Sequence, residues 1–433
     1  MRRPALSLHV LLLGAACTGL LVVPAQMSAT LAGPGPEHVA EGYGGGVSSP
    51  DSAATAAGSD ALAAGGNATD AAVAAAAVLA VTEPAAAGLG GGAVLLRFDP
   101  EAGTVERIER CNPAGAATAW QAALQQWGTT SLGAALEPAR ALATGQLAAS
   151  LTAVTDRGPR ALRSGALGAS VRDAAAEAGV VLSPARLPRA MLAEASPYQE
   201  LDVYGGSAGT LARLEPPATG AGLTADAAVR RVLAATAEGA DGPDDDAVVG
   251  VVAADRWGGV TAVALTLGVR GGAAPVPGAG FPLGAPTAGG CGAAAPTIVT
   301  RTADRLTAPR DLPATGQSAY LAVVGTGGTG RPAAGAATGV ASLVSGRVER
   351  GLALDQALEA PRGVRVGPRR MVLEAGLGAD AVRGLGRLVA SGDAPEAAAL
   401  VALEVKDDGR VQAVAERRRG GGGSAAVVHP DTD

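Results

Sequence analysis

The chain has 433 residues, 48% of them hydrophobic but only 2% aromatic, and a formal net charge of -6. That length suits one large α/β domain or two ordinary ones, and the core has to be built from Ala, Val and Leu. No basic patch interleaves with aromatics and Lys406 is the sole lysine, so nucleic-acid binding is unsupported.

The N-terminus reads as an export segment. Arg2 and Arg3 precede the apolar run "ALSLHVLLLGAACTGLLVVPAQ", with small-residue cleavage sites after Ala25 or Ala32. Residues 1–32 are therefore a signal peptide or a retained membrane anchor, and the expected location is secreted or extracytoplasmic, with a membrane tether as the alternative. Beyond the leader only Cys111 and Cys291 remain; they pair in an exported protein or serve as small buried apolar residues. The three histidines, His9, His38 and His429, lie in the leader or near the termini, which argues against a His-dependent triad, and no Cys/His cluster suggests a metal. No cofactor is expected.

Next come a strand at "GGGVSS" and a helix from Asp51 to Ala64, broken by "GGN". A second helix runs from about Asp70 to Val81, capped by Asn67 or Thr69; apolar on every face, it should be fully buried. Asn67-Ala68-Thr69 is also a glycosylation sequon, with capping the preferred reading. A glycine-rich loop leads into two strands around "DPEAG", then come helices at "ATAWQAALQQW", "SLGAALEPARALATGQ" and "ALRSGALGASVRDAAAEAG", the last stopped by Gly179.

In the second half an acidic linker, "DGPDDD", feeds the apolar runs Val248 to Ala254 and Val260 to Leu267, which pair around "DRWGG". Further strands are expected at "APTIVTR", "AYLAVVGTG", "RMVLE" and "LVALEVKDDGRVQAVAE". Helices are expected at "RPAAGAATGVASLVSG", "LDQALEAPRG" and Ala381 to Ser391. Antiparallel strand runs with helices grouped between them suggest an α+β fold, two stacked sheets covered by helices on both outer faces.

The stretch "AAGGNATDAAVAAAAVLAVTEPAAAGLGGGAVLLRFDPEAGTVERIE" resembles the γ-glutamyltransferase family, and the later motifs "GCGAAAPTIV", "GTGGTGRPAAGAA" and "LDQALEAPR" follow in the same order. The resemblance implies an αββα sandwich of the N-terminal-nucleophile hydrolase type. It divides the chain into a large-subunit-like region, residues 33–240, and a small-subunit-like region, 241–419; the glycine-rich stretch that follows, 420–433, is by its composition expected to be a disordered tail. Such precursors cut themselves before a Thr, which then attacks a γ-glutamyl amide with its own α-amine as base and backbone donors for the oxyanion.

Placed on this sequence, the family's nucleophile position falls on Val248, and no Ser, Thr or Cys lies between Ala237 and Val260. An isopropyl group neither attacks a carbonyl nor performs an acyl shift. After the turn Pro277 to Gly280 no Asn or Asp follows, and the family's paired serines read Gly292-Ala293. Arg110 falls where the family's carboxylate-binding arginine sits, or is a solvated strand-end charge. Gly327 and Gly328 resemble the oxyanion glycines, or merely permit a tight strand-to-helix turn. The expectation is a γ-glutamyltransferase-like protein, uncut and without its nucleophile. The alternatives are an active hydrolase or transferase of glutathione-like γ-glutamyl amides using Thr261, Thr266 or Cys291, and a binding or scaffold partner of an active relative. The expected ligand is a γ-glutamyl small molecule or peptide.

Overall fold

The computed structural model describes residues 37–111, 113–214, 223–236, 246–269, 271–285, 295–302, 317–326, 335–367, 369–392, 398–417 and 423–429. Two seven-stranded antiparallel sheets form its centre. The first has the order β1 (Val39–Gly42), β18 (Val411–Ala415), β17 (Ala399–Val405), β13 (Gln317–Thr326), β12 (Thr297–Thr302), β7 (Leu201–Gly205), β6 (Ala195–Tyr198). The second has the order β19 (Ser424–Val427), β2 (Gly45–Ser49), β8 (Asp246–Asp255), β9 (Val260–Val269), β3 (Gly92–Asp99), β4 (Thr104–Arg110), β5 (Met191–Leu192). The sheets face each other across an apolar layer that includes Val94, Leu96, Val248 and Val252 from one side and Ile298, Val324 and Leu403 from the other.

Helices cover both outer faces. On the second sheet lie α1 (Ser52–Ala63), α2 (Ala68–Thr82), α3 (Ala116–Trp127), α4 (Leu132–Leu142), α5 (Gly145–Arg157) and α6 (Gly165–Glu177). On the first lie α7 (Ala208–Leu211), α8 (Ala225–Ala235), α9 (Ala336–Val348) and α10 (Leu354–Glu359). The result is the αββα sandwich expected from the sequence. Every residue of α2 from Ala68 to Ala80 is buried, as its lack of a polar face requires. Its alanines let it pack on α1 and α4 while also lying on β8 and β9.

A short hairpin, β10 (Ala274–Pro275) with β11 (Pro282–Leu283), carries the Pro277–Gly280 turn. Ser150 of α5 donates to the Ala279 carbonyl at 2.7 Å, so the turn is fixed to the helical layer. A three-stranded sheet joins β14 (Gly363–Gly367), β15 (Arg370–Glu374) and β16 (Arg387–Gly392).

That last strand corrects an expectation. The helix read between Ala381 and Ser391 is a 3-10 turn, Ala379–Val382, followed by β16 in parallel pairing with β15. Gly384 has φ 80°, and a Cβ at Gly386 would come within 2.3 Å of the Arg369 carbonyl oxygen, so a helix cannot pass through the segment. The stretch read as a tail from Gly420 contributes β19, which closes the second sheet against β2. The export segment, residues 1–32, lies outside the described residues; among those described, no helix is long and apolar enough to cross a membrane.

Candidate functional site

Asp255 ends β8 and organises the turn into β9. Its Oδ1 accepts from the amides of Trp257 and Gly259, each at 2.9 Å, and its Oδ2 accepts from Ala68 N at 3.0 Å. Burial raises its carboxyl pKa, while those three donors oppose the rise. The same carboxylate therefore shapes the hairpin and holds the N-terminus of α2, where the helix presents free amides.

Asn67 and Asp70 complete the knot. Asn67 Oδ1 accepts from Thr69 N (2.9 Å) and Asp70 N (3.1 Å), and Asp70 Oδ2 accepts from Asn67 N (2.9 Å), a reciprocal capping box. Asn67 Nδ2 donates to Trp127 O at 2.7 Å, which commits its side chain to capping. Asp70, 1% exposed, also accepts from the amides of Thr129 and Thr130 and from Thr129 Oγ1.

The glycines of "GLGGG" are explained by close approach of backbone. A Cβ on Gly90 would lie 2.1 Å from Pro282 O, on Gly91 2.4 Å from Thr266 O, and on Gly92 2.6 Å from Arg110 O. The segment is pressed between β9, β11 and the end of β4.

Val248 sits at the start of β8, where the ladder slips between Ala247 and Val248; it pairs with Thr266. Its side chain is fully buried in the layer between the sheets. Two residues on, a Cβ at Gly250 would be 2.1 Å from Val324 Cγ1, a measure of how tightly the sheets meet there. Thr266, opposite Val248 on the same face, is 3% exposed, and its Oγ1 accepts from Gly268 N at 2.8 Å. Thr261 faces the helical layer, with its hydroxyl 3.2 Å from that of Thr69.

Arg110 lies on the adjacent row of the same sheet. Arg110 pairs with Ala93, Ala93 with Leu265, and Leu265 with Val249, which puts Arg110 three strands from Val249, about 14 Å. Residues paired across a sheet share a face. Ala93, Leu265 and Val249 pack with the helices, so Arg110 and Val248 project from opposite faces. Arg110 Nη2 donates to Arg186 O at 3.1 Å, and burial, then the Arg186 charge, lowers its pKa.

Gly327, Gly328, Cys291 and Gly292-Ala293 lie outside the described residues. Cys111 is disulfide-bonded, and the chain's other cysteines, Cys17 and Cys291, both fall outside that set. No group of three or more His, Cys, Asp or Glu among the described residues is arranged to hold a metal. Sequence reading passed over the reach of Asp255 to α2. Its signal was the aspartate ending an apolar strand just before two glycines.

Two stacked antiparallel sheets between helical layers make the αββα sandwich, the fold expected for the N-terminal-nucleophile hydrolase type. Cephalosporin acylase from Bacillus halodurans superposes with a TM-score of 0.68 at 16% identity, over 92% of this chain and 98% of that one. LmbA2991HD superposes at 0.67 and 19% identity, over 90% of this chain and 99% of that one. Residues 54–119 match the family model of gamma-glutamyltranspeptidase, covering α1, α2, the glycine segment, β3, β4 and the start of α3. Over that segment the chain is similar to the γ-glutamyltranspeptidase family. A search of curated proteins finds no match.

Proposed function

We propose that this chain is a non-catalytic member of its family: an exported, uncut single chain that keeps the sandwich and has lost the reaction. The observation that carries this reading is Val248. By sequence resemblance the family's nucleophile position falls on it, its side chain is sealed between the sheets, and no hydroxyl or thiol residue lies from Ala237 to Val260. Covalent acyl transfer needs a nucleophile beside a base, and a valine offers neither. In this reading the fold serves binding, with a γ-glutamyl small molecule or peptide as the inherited ligand class.

The test is an intact-mass spectrum of the protein from its exporting host, together with an assay on a γ-glutamyl anilide. One chain, shortened only at its N-terminus and inert toward the anilide, is the expected outcome. Two chains divided between Asp246 and Val249, with anilide turnover, would overturn the reading.

A second reading, an active hydrolase or transferase, draws on Thr266, the hydroxyl directly across the ladder from Val248. Against it stand the burial of that hydroxyl and its engagement with Gly268 N. Covalent labelling of Thr266 by an electrophilic glutamine analogue would favour it; an unlabelled protein would leave the non-catalytic reading standing.

A further inference from the structure

The segment from Arg157 to Arg189 runs against the charge of the whole molecule. It holds Arg157, Arg160, Arg163, Arg172, Arg186 and Arg189 against only Asp173 and Glu177, so 6 - 2 gives +4 in a chain of net charge -6. Two of these arginines have evident structural partners: Arg163 Nη2 donates to Ala114 O at 3.3 Å, and Arg172 Nη1 donates to Arg163 O at 2.6 Å. Arg157, Arg160 and Arg186 behave differently. Within the described residues their guanidiniums make no hydrogen bond or ion pair, and all three line one cavity of 460 Å³.

The cavity is built from three separate elements. Gln121 and Gln125 come from α3, Arg157 and Arg160 from the end of α5 and the 3-10 turn Gly158–Leu162, and Arg186 from the chain after α6. Among the described residues no carboxylate lines it. Gly158, with φ 66°, turns the chain so that the two arginines beside it both reach the same space. A helix C-terminus attracts cations, which accounts for Arg157 in the last turn of α5 but not for Arg160 or Arg186. Like charges gathered without counter-charge destabilise a fold unless something else neutralises them. Arg186 also presses on Arg110, whose pKa it lowers after burial has done so.

We propose that this cavity binds a small polyanion, a molecule carrying two or more clustered phosphate or carboxylate groups. Guanidinium forks suit both groups, which they grip through paired N–H donors. The two glutamine amides supply neutral donors and acceptors for the uncharged part of the ligand. The volume falls within the range of small-molecule sites and is too small for a folded partner. The site stands apart from Val248 and does not depend on whether the chain is catalytic.

The test is calorimetric titration of the full chain with pyrophosphate and, separately, with citrate, each at 50 and 150 mM salt. Saturable binding of at least one is expected, weakening severalfold at the higher salt, and which anion binds more tightly assigns phosphate or carboxylate as the natural chemistry. The Arg160→Ala/Arg186→Ala double variant should bind at least tenfold more weakly, and Arg157→Gln should weaken binding independently. Arg383→Ala, a surface arginine paired with Asp380, should bind as the parent does. All three cavity arginines are exposed, so the melting temperatures should stay close to the parent's. Absence of binding by either anion at millimolar concentration sinks the proposal. So do folded cavity variants with the parent's affinity, or an equal loss in Arg383→Ala.

Discussion

The N-terminus of α2 and the start of β8 are both buried, and their side chains serve the fold in opposite ways. In the first, Asn67, Asp70 and Asp255 each accept two or more hydrogen bonds from backbone amides, those of Thr129 and Thr130 reaching Asp70 and that of Ala68 reaching Asp255 from other segments. In the second, the apolar side chain of Val248 is closed over by the facing sheet. The contrast shows what each polar group does for the fold. A buried carboxylate that several N–H groups need cannot be removed without stranding them. The Val248 side chain carries no polar atom, so the apolar layer accepts it without any partner.

The largest test of that contrast is Asp70→Ala. The amides of Asn67, Thr129 and Thr130 and the Thr129 hydroxyl would lose their acceptor at once. Each unmade buried hydrogen bond costs roughly 1–3 kcal/mol and the losses share relaxation, so a total of about 3–5 kcal/mol is expected. Urea denaturation measures it. A loss under about 1 kcal/mol would show that this knot is not what preserves the motif.

Much of this was legible in the sequence because period and punctuation agree there. Asn67 before an Ala/Val run specifies a capped, buried helix, and α2 begins one residue after it. The hairpin was legible from two apolar runs around "DRWGG", because strand alternation is irrelevant when both faces are covered. Other parts were hidden. β19 follows a run of four glycines and gains its partner from β2, some 375 residues earlier (Ser424 with Ser49). β16 has no strong strand pattern of its own and is held by pairing with β15. The opposed facing of Arg110 and Val248 needed the register of three strand pairs. The arginine cavity was legible only as a charge imbalance, since the residues that converge come from three elements.

A smaller effect comes from Glu83, in the same family-matching segment but without the support Asp70 enjoys. Burial first, then the nearby charge of Asp51, raises its pKa from 4.5 to about 7. Below pH 4.5 the group is protonated in folded and unfolded chains alike. Between 4.5 and 7 the unfolded chain releases its proton while the folded chain retains it. Stability therefore falls as pH rises through that window, by up to about 3 kcal/mol. Glu83→Gln removes this contribution, so the gap between variant and parent in urea midpoint should widen in the variant's favour from pH 4.5 to pH 8. A gap that stays constant with pH would mean the carboxyl is not held neutral.

The smallest effect is expected at Val248. Val248→Thr is nearly isosteric but places a hydroxyl in an apolar layer, beside Val324 and the other side chains between the sheets. A buried hydroxyl without a good acceptor costs about 1–3 kcal/mol. The Thr266 hydroxyl, opposite on the same face, offers a partner, and that moves the expectation to the lower end, about 1 kcal/mol. A loss as large as that of Asp70→Ala would mean that valine is required by the packing. A loss near 1 kcal/mol, measured by the same urea titration, would mean that the sandwich can house either residue, so that valine is not a demand of the fold.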